Sequence, residues 1–145
     1  MNRIKTLLLI AVALIILVLL VYPAVGSPEL AGISEVKQQL IKVDSDEFSK
    51  KINTDNVVIL DIRTPEEYAS GHLENAINID FYAADFSAKL QQLNKETTYM
   101  VYCRSGNRSS SAFKQMEQLG FKSIYELNGG INSWIKYGNS VCKNC

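Results

Sequence analysis

The sequence predicts an α/β fold: an open, five-stranded parallel sheet flanked by helices on both faces and preceded by an N-terminal apolar helix. From residue 40 onward, short apolar runs alternate with helical patterns, which is typical of βαβ units. Some of these runs have no polar position, as in strands that a parallel sheet buries on both faces. The first 26 residues are mainly apolar after a basic start. These patterns leave the order of the strands open.

The N-terminal segment supports two interpretations, and both remain open. Leu7 to Val21 is an uninterrupted apolar run of 15 residues that follows Arg3 and Lys5. With Ala24-Val25-Gly26 as the small residues of a cleavage site, residues 1–26 fit a signal peptide. The same stretch is long enough for a membrane-anchor helix, which needs about 20 apolar residues.

Either interpretation predicts an extracytoplasmic domain, because basic residues before an apolar run stay on the cytoplasmic side. The protein is membrane-anchored through residues 4–25 if the segment is uncleaved, and periplasmic or secreted if it is cleaved. We expect a linker over residues 27–39, the domain over 40–138 and a tail over 139–145.

The charge of the remaining chain is mildly acidic. Without the two basic residues of the N-terminal segment, 13 lysines and arginines remain against 15 acidic residues, so we expect no nucleic-acid partner.

Capping residues mark the first two strand–helix units. Leu40–Val43 is a short strand, and Asp44 after it begins a helix, with a glutamate three residues further on. Val57–Leu60 is a wholly apolar strand. A short helix follows that Thr64 caps and that has a proline in its first turn, and Gly71 ends it.

The remaining units continue the alternation. Strands are predicted over Ala76–Ile79, Thr98–Cys103 and Ser123–Leu127. Apolar positions at helical spacing predict a helix after each strand. They are Phe86, Leu90 and Leu93 in the first helix, Ala112, Met116 and Leu119 in the second, and Ile131, Trp134 and Ile135 in the third. Gly120 suits the position just after the second helix, and Gly129-Gly130 opens the third.

A polar loop follows the fourth strand, at the sheet edge where α/β folds bind ligands. Its residues are Cys103, Arg104, Ser105, Gly106, Asn107, Arg108 and Ser109. Because a helix begins within about six residues of the strand, several backbone N–H groups should converge there and favour an anion. Gly106 permits the tight curl, the two arginines add positive charge, and Ser109 is expected to cap the helix and offer its hydroxyl.

The same surroundings predict that Cys103 is a reactive nucleophile. A helix N-terminus and nearby arginines lower the pKa of a cysteine from about 8.5 toward or below neutrality, and the thiolate is the attacking form. A structural cysteine would have apolar neighbours instead. The chain has three cysteines, so in an oxidising compartment Cys142 and Cys145 can pair and leave Cys103 free.

Three motifs resemble the rhodanese-like family, in its order and spacing, over about residues 40–137. They are Val58 to Arg63 with Glu67-Tyr68 and Gly71-His72, then the loop from Cys103 to Ser109, and finally Leu127-Asn128-Gly129-Gly130 with Trp134. The resemblance implies a sulfurtransferase that uses thiosulfate or a persulfide donor. Cys103 would carry the outer sulfur as a persulfide and pass it to cyanide or to a thiol, which a protein could supply. The loop residues would bind the substrate, without a metal or an organic cofactor.

The length of the loop separates this chemistry from that of the related phosphatases and arsenate reductases, which have five residues between cysteine and arginine. Here Arg108 comes one residue earlier, and the position at which those enzymes have their arginine is occupied by Ser109. The shorter loop suits a sulfane group, so phosphatase activity is not expected. Two alternatives stay open: a non-catalytic binding or sulfur-sensing module at the membrane, and a thiol redox protein that uses Cys103 with Cys142 and Cys145.

Smaller roles are expected for a few further residues. Asp61 and Arg63 could support the pocket, or simply form a mutual ion pair or loop hydrogen bond. Cys142 and Cys145 could be a local disulfide or a resolving pair that takes sulfur from, or reduces, the loop cysteine. They do not make a four-ligand zinc site, because His72 and the loop cysteine are the only other candidates. We expect His72 to be structural.

Overall fold

A computed structural model describes Leu14, Leu17 and residues 38–143. The chain forms two compact units, Met1–Glu35 and Val36–Cys145. In the first unit, Leu14 and Leu17 are helical and more than half exposed; the rest of the predicted apolar helix lies outside the described residues. None of the described helices has the length and apolar character that a membrane crossing requires.

One sheet of five parallel strands forms the centre of the second unit. The strands are β1 (Gln39–Val43), β2 (Val57–Asp61), β3 (Ile77–Asn78), β4 (Thr98–Tyr102) and β5 (Ser123–Leu127). Their order is β1-β5-β4-β2-β3, which confirms the predicted parallel sheet. β1 begins one residue before the prediction, so Gln39 belongs to the sheet and not to the linker. β4 ends one residue early, which leaves Cys103 as the first residue of the loop.

Five helices connect and follow these strands. They are α1 (Ser45–Lys51), α2 (Pro65–Ala69), α3 (Phe86–Gln92), α4 (Asn107–Gln118) and α5 (Gly130–Lys136). Asp44 caps α1 as predicted, and Thr64 with Glu67 forms a complete capping box on α2. The prediction that Ser109 caps α4 is wrong: Gly106 is the N-cap, with φ of 100°. Because glycine adopts this conformation freely, the helix begins earlier and Ser109 lies inside its first turn.

Helices cover both faces of the sheet, and β4 shows this directly. Tyr99 and Val101 are buried on one face, and Met100 and Tyr102 on the other. The first face packs against α3 and α4 through Phe86, Leu90, Ala112 and Met116. The second packs against α1 and α5 through Phe48, Ile131 and Trp134. Burial on both faces explains the uninterrupted apolar runs of the central strands.

The strand order determines what surrounds the loop. β4 lies between β2 and β5 in the sheet, and all three strands run in the same direction. Their carboxyl ends therefore meet at one edge. The residues that follow β2, the loop that follows β4 and the turn that follows β5 are neighbours there.

Candidate active site

Cys103 lies at this edge with only 1% of its surface exposed. Its sulfur is 3.1 Å from the amide nitrogen of Gly106, which donates to it, and 3.5 Å from Ser109 Oγ. The thiol is free. The loop therefore curls around the sulfur and presents polar hydrogens to it.

The loop lowers the pKa of Cys103 below the ordinary value of a cysteine. Burial acts in the opposite direction, since it disfavours the charged thiolate. The Ser109 hydroxyl and the backbone N–H groups of Ser109, Ser105 and Gly106 stabilise the thiolate and so lower the pKa. Hydrogen bonds to an anion are stronger than those to a neutral group, so these donors together outweigh burial and favour the thiolate.

The first turn of α5 holds the loop from the outside. The Ile131 N–H donates to the Cys103 carbonyl at 2.9 Å, and the Asn132 N–H donates to the Arg104 carbonyl at 3.1 Å. This approach requires glycine at position 130. A Cβ there would collide with the Cys103 carbonyl oxygen and would lie 2.7 Å from the carbonyl carbon and oxygen of Arg104.

Arg108 is engaged by a carboxylate. Its Nη1 and Nη2 lie 2.6 and 2.9 Å from the two carboxylate oxygens of Glu67, which makes a bidentate ion pair between α4 and α2. The hydrogen bond from Arg108 holds the pKa of the Glu67 carboxyl below its usual range. The sequence pattern assigns Glu67 only to the start of α2, so it misses this second partner.

Asp61 and Arg63 form a buried ion pair just after β2. Arg63 Nη2 lies 2.6 Å from Asp61 Oδ2, with 5% and 0% of the two side chains exposed. The same Nη2 donates to the Gly71 carbonyl at 2.7 Å. The pair thus joins the end of β2 to the turn after α2, and neither side chain makes a described contact with the Cys103 sulfur.

A buried carboxylate that no sequence motif marks lies next to Ser109. Glu126, on β5, is 1% exposed, and its Oε1 accepts from the Ser109 hydroxyl at 2.9 Å and from the Ser110 hydroxyl at 2.7 Å. Lys42 Nζ lies 3.1 Å from Oε2 without a well-directed hydrogen bond to it. The alternating pattern of β5 does not mark this position as buried and polar.

The start of the tail pairs with the turn after α2. The backbone of Cys142 exchanges two hydrogen bonds of 2.9 Å with that of His72, whose ring is buried and stacked on Tyr68. Cys142 is disulfide-bonded. Cys145, the other member of the predicted pair, lies outside the described residues. Within the described ranges, no three or more histidines, cysteines and acidic residues are grouped so that they could hold a metal ion.

Comparison with known proteins gives consistent matches. Residues 44–137 match the rhodanese-like domain. A sulfurtransferase of Allochromatium vinosum is 32% identical over 98 residues, which are 67% of this chain and 90% of that protein. A thiosulfate sulfurtransferase of Pseudomonas entomophila is 32% identical over 91 residues, or 62% of this chain and 81% of that protein. The crystal structure of a rhodanese-related protein from Thermoplasma volcanium aligns with a TM-score of 0.64 at 32% identity, covering 71% of this chain and 98% of that one.

The chain also matches part of longer proteins. The tRNA uridine(34) hydroxylase of Cytophaga hutchinsonii is 31% identical over 121 residues, and these cover 81% of this chain but 38% of that protein. The similarity therefore concerns a portion of the hydroxylase.

Replacing Ser109 with alanine should raise the pKa of Cys103, because it removes a hydroxyl that favours the thiolate. One such hydrogen bond is worth about 1 kcal/mol, so alkylation of Cys103 by iodoacetamide at neutral pH should slow roughly fivefold. The rate measured against pH should keep its plateau and move its midpoint to higher pH. Ser110→Ala is the matched control, since Ser110 also donates to Glu126 but makes no described contact with the sulfur. Equal shifts in the two variants would contradict the assignment.

Proposed function

The chain belongs to the rhodanese-like domain family, and from that premise we propose that it is a sulfurtransferase. It moves sulfane sulfur from thiosulfate, or from a persulfide donor, to a thiol acceptor. The observation that carries this proposal is the Cys103 sulfur, a free thiol with a lowered pKa that accepts a backbone N–H at 3.1 Å. A module that only binds a partner has no need of an activated thiolate. The thiosulfate sulfurtransferase of Pseudomonas entomophila supports thiosulfate as the donor.

The first half-reaction is a nucleophilic substitution at sulfur. The Cys103 thiolate attacks the outer sulfur of thiosulfate, a new sulfur–sulfur bond forms, and the old one breaks as sulfite leaves with the electron pair. The cysteine then carries a persulfide anion. N–H groups of the loop, among them that of Gly106, stabilise the charge on this outer sulfur as an oxyanion hole does for oxygen.

The second half-reaction returns the enzyme to its starting state. An acceptor thiolate attacks the outer sulfur, the bond to Cys103 Sγ breaks, and the thiolate is regenerated while the acceptor leaves as a persulfide. Cyanide can replace the thiol in an assay and leaves as thiocyanate. Each half-reaction exchanges one bond to sulfur for another, so we propose that neither requires a metal or an organic cofactor.

The charges near the loop fit a sulfur donor better than a phosphate ester. The Arg108 guanidinium is matched by Glu67 at 2.6 and 2.9 Å, and it follows Cys103 after four residues. We propose that Arg104 supplies the attraction for an anionic donor, since no carboxylate among the described residues pairs with it.

The central test is whether Cys103 gains one sulfur atom from thiosulfate. After treatment of the full chain with thiosulfate, mass spectrometry of the intact protein should show one added sulfur atom, and Cys103→Ala should show none. Thiosulfate-to-cyanide transfer should fall to the background rate in Cys103→Ala. Cys103→Ser should be equally inactive, because its hydroxyl is not ionised at neutral pH. Equal transfer rates for the wild type and Cys103→Ala would remove the enzyme hypothesis.

We also propose that the enzyme acts outside the cytoplasm, because residues 1–26 combine a basic start with the apolar run from Leu7 to Val21. Fractionation of bacteria that express the full chain should place it in the membrane, the periplasm or the medium. Sequencing the N-terminus of the recovered protein then separates an uncleaved anchor from a cleaved signal peptide. Recovery of the uncleaved chain from the cytosol would contradict this location.

A second candidate function is thiol redox chemistry between Cys103 and the tail cysteines. It is favoured by the disulfide state of Cys142 and by the position of its neighbour Val141, which lines the same cavity as Arg104. With both tail thiols reduced, one attacks the outer sulfur of the Cys103 persulfide and the other then closes the Cys142–Cys145 disulfide. Two thiols are oxidised, the sulfane sulfur is reduced and leaves as hydrogen sulfide, and an external thiol resets the pair.

The tail reaction can be tested without any added acceptor. Reduced full-length protein, freed of reductant and loaded with one equivalent of thiosulfate, should release hydrogen sulfide, whereas Cys142→Ser/Cys145→Ser should keep its sulfur. The double variant should still load, because Cys103 is untouched. Equal sulfide release from both proteins, or none from either, would leave the tail without a resolving role.

A further inference from the structure

A cavity of about 360 Å³ lies beside the loop and is larger than a donor such as thiosulfate needs. Its volume is at the lower end of the range for sites that bind organic small molecules. Arg104, Ile131, Asn132, Ile135 and Val141 are among the residues that line it. The cavity therefore has room for a second, larger reactant beside the loop.

The fold holds this cavity close to Cys103. The hydrogen bonds from Ile131 and Asn132 to the carbonyls of Cys103 and Arg104 fasten the first turn of α5 to the beginning of the loop. Two lining residues of α5 are thus bonded directly to the nucleophile's own residue and the next one. Arg104, the residue that follows Cys103, is itself a lining residue, so the cavity borders the loop at its second residue.

One wall of the cavity is apolar and partly open. Ile131 and Ile135 come from α5, and Val141 comes from the tail. Ile135 is 52% exposed and Val141 36% exposed. Val141 is held in place because the backbones of Cys142 and His72 pair beside it and the Trp134 indole N–H donates to the Ser140 carbonyl at 2.8 Å.

The charge of the cavity comes from one residue. Arg63 also lines it, but Asp61 balances its charge, and Glu67 is balanced by Arg108. Arg104 is exposed, and in the described part of the chain no carboxylate lies within ion-pair distance of it. The cavity therefore combines an aliphatic wall with a single uncompensated guanidinium, the side chain best suited to bind a carboxylate.

We propose that this cavity binds the sulfur acceptor, and that the acceptor is a small aliphatic thiol that carries a carboxylate. The carboxylate binds Arg104, and the methylene groups lie on Ile131, Ile135 and Val141. This inference rests on the proposed sulfurtransferase function and names its second substrate. The acceptor's thiolate attacks the outer persulfide sulfur, the bond to Cys103 Sγ breaks with its electron pair on Cys103, and the acceptor leaves as a persulfide anion, so charge is conserved.

The test isolates the second half-reaction. Full-length protein is loaded with thiosulfate, freed of excess donor, and discharged with 3-mercaptopropionate, with its uncharged amide or with cationic cysteamine. The wild type should reach its half-maximal discharge rate at a roughly tenfold lower concentration of the acid than of the amide, as expected for one charge-assisted contact. In Arg104→Met that advantage should be lost, so that the acid and the amide reach half-maximal discharge at similar concentrations, and Arg104→Glu should prefer cysteamine. Lys136→Met, which removes a charge from α5 outside the cavity, should behave as the wild type.

A separate measurement keeps this inference distinct from the function on which it rests. Cys103→Ala, which cannot carry sulfur, is titrated with the acid and with the amide by calorimetry. The site is supported if this variant binds the acid more tightly than the amide and if Cys103→Ala/Arg104→Met does not. Equal binding of acid and amide there, or an Arg104→Met effect of equal size on both thiols, overturns it. Failure of the wild type to take up sulfur from thiosulfate overturns the proposed function, whatever the calorimetry shows.

Discussion

The proposed active site depends on how one peptide group, between Arg104 and Ser105, is oriented. In a trans peptide the carbonyl and the N–H point in opposite directions, and the described chain has no cis peptide. The carbonyl accepts from Asn132 at 3.1 Å, and the Ser105 N–H on the other side favours the Cys103 thiolate. Polarisation of the carbonyl strengthens the donor at its other end. The absence of a side chain at Gly130 permits this arrangement, so the closing turn after β5 contributes directly to the reactivity of a cysteine that follows β4.

Ion pairs at the same edge determine which positive charge remains for substrates. Three arginines lie in the described part of the chain, and Asp61 and Glu67 each neutralise one of them at 2.6 Å. Both pairs are largely buried, and a buried guanidinium without its carboxylate would be costly. Arg104 alone keeps an open guanidinium, and it is the residue next to the nucleophile. The site therefore has two arginines held in ion pairs and one arginine whose charge is available to a ligand.

Local sequence patterns predict the elements of the fold because caps, apolar runs and glycines act over a few residues. Thr64 and Gly129-Gly130 are examples, and Cys103 is proposed as the nucleophile because of the residues that immediately follow it. The order of the strands depends on contacts between distant segments, and so do the partners of Arg108 and Ser109. The capping role of Glu67 on α2 already accounts for a glutamate at this position. The sequence therefore gives no sign of its contact with Arg108, 41 residues away. Glu126 lies in a strand in which nothing local distinguishes a buried carboxylate from an exposed one.

Glu126 and Cys103 compete for a single proton, that of the Ser109 hydroxyl. This hydroxyl can donate to Glu126 at 2.9 Å or to the Gly106 carbonyl at 3.0 Å, and its oxygen lies 3.5 Å from the Cys103 sulfur. It can donate well to only one group at a time. With a protonated thiol, the S–H can donate to Ser109 while Ser109 donates to Glu126. With a thiolate, the hydroxyl must turn to the sulfur. Glu126 then keeps its hydrogen bond from the Ser110 hydroxyl and its contact with Lys42. Ser109 is thus an adjustable donor, whereas the N–H groups of the loop are fixed.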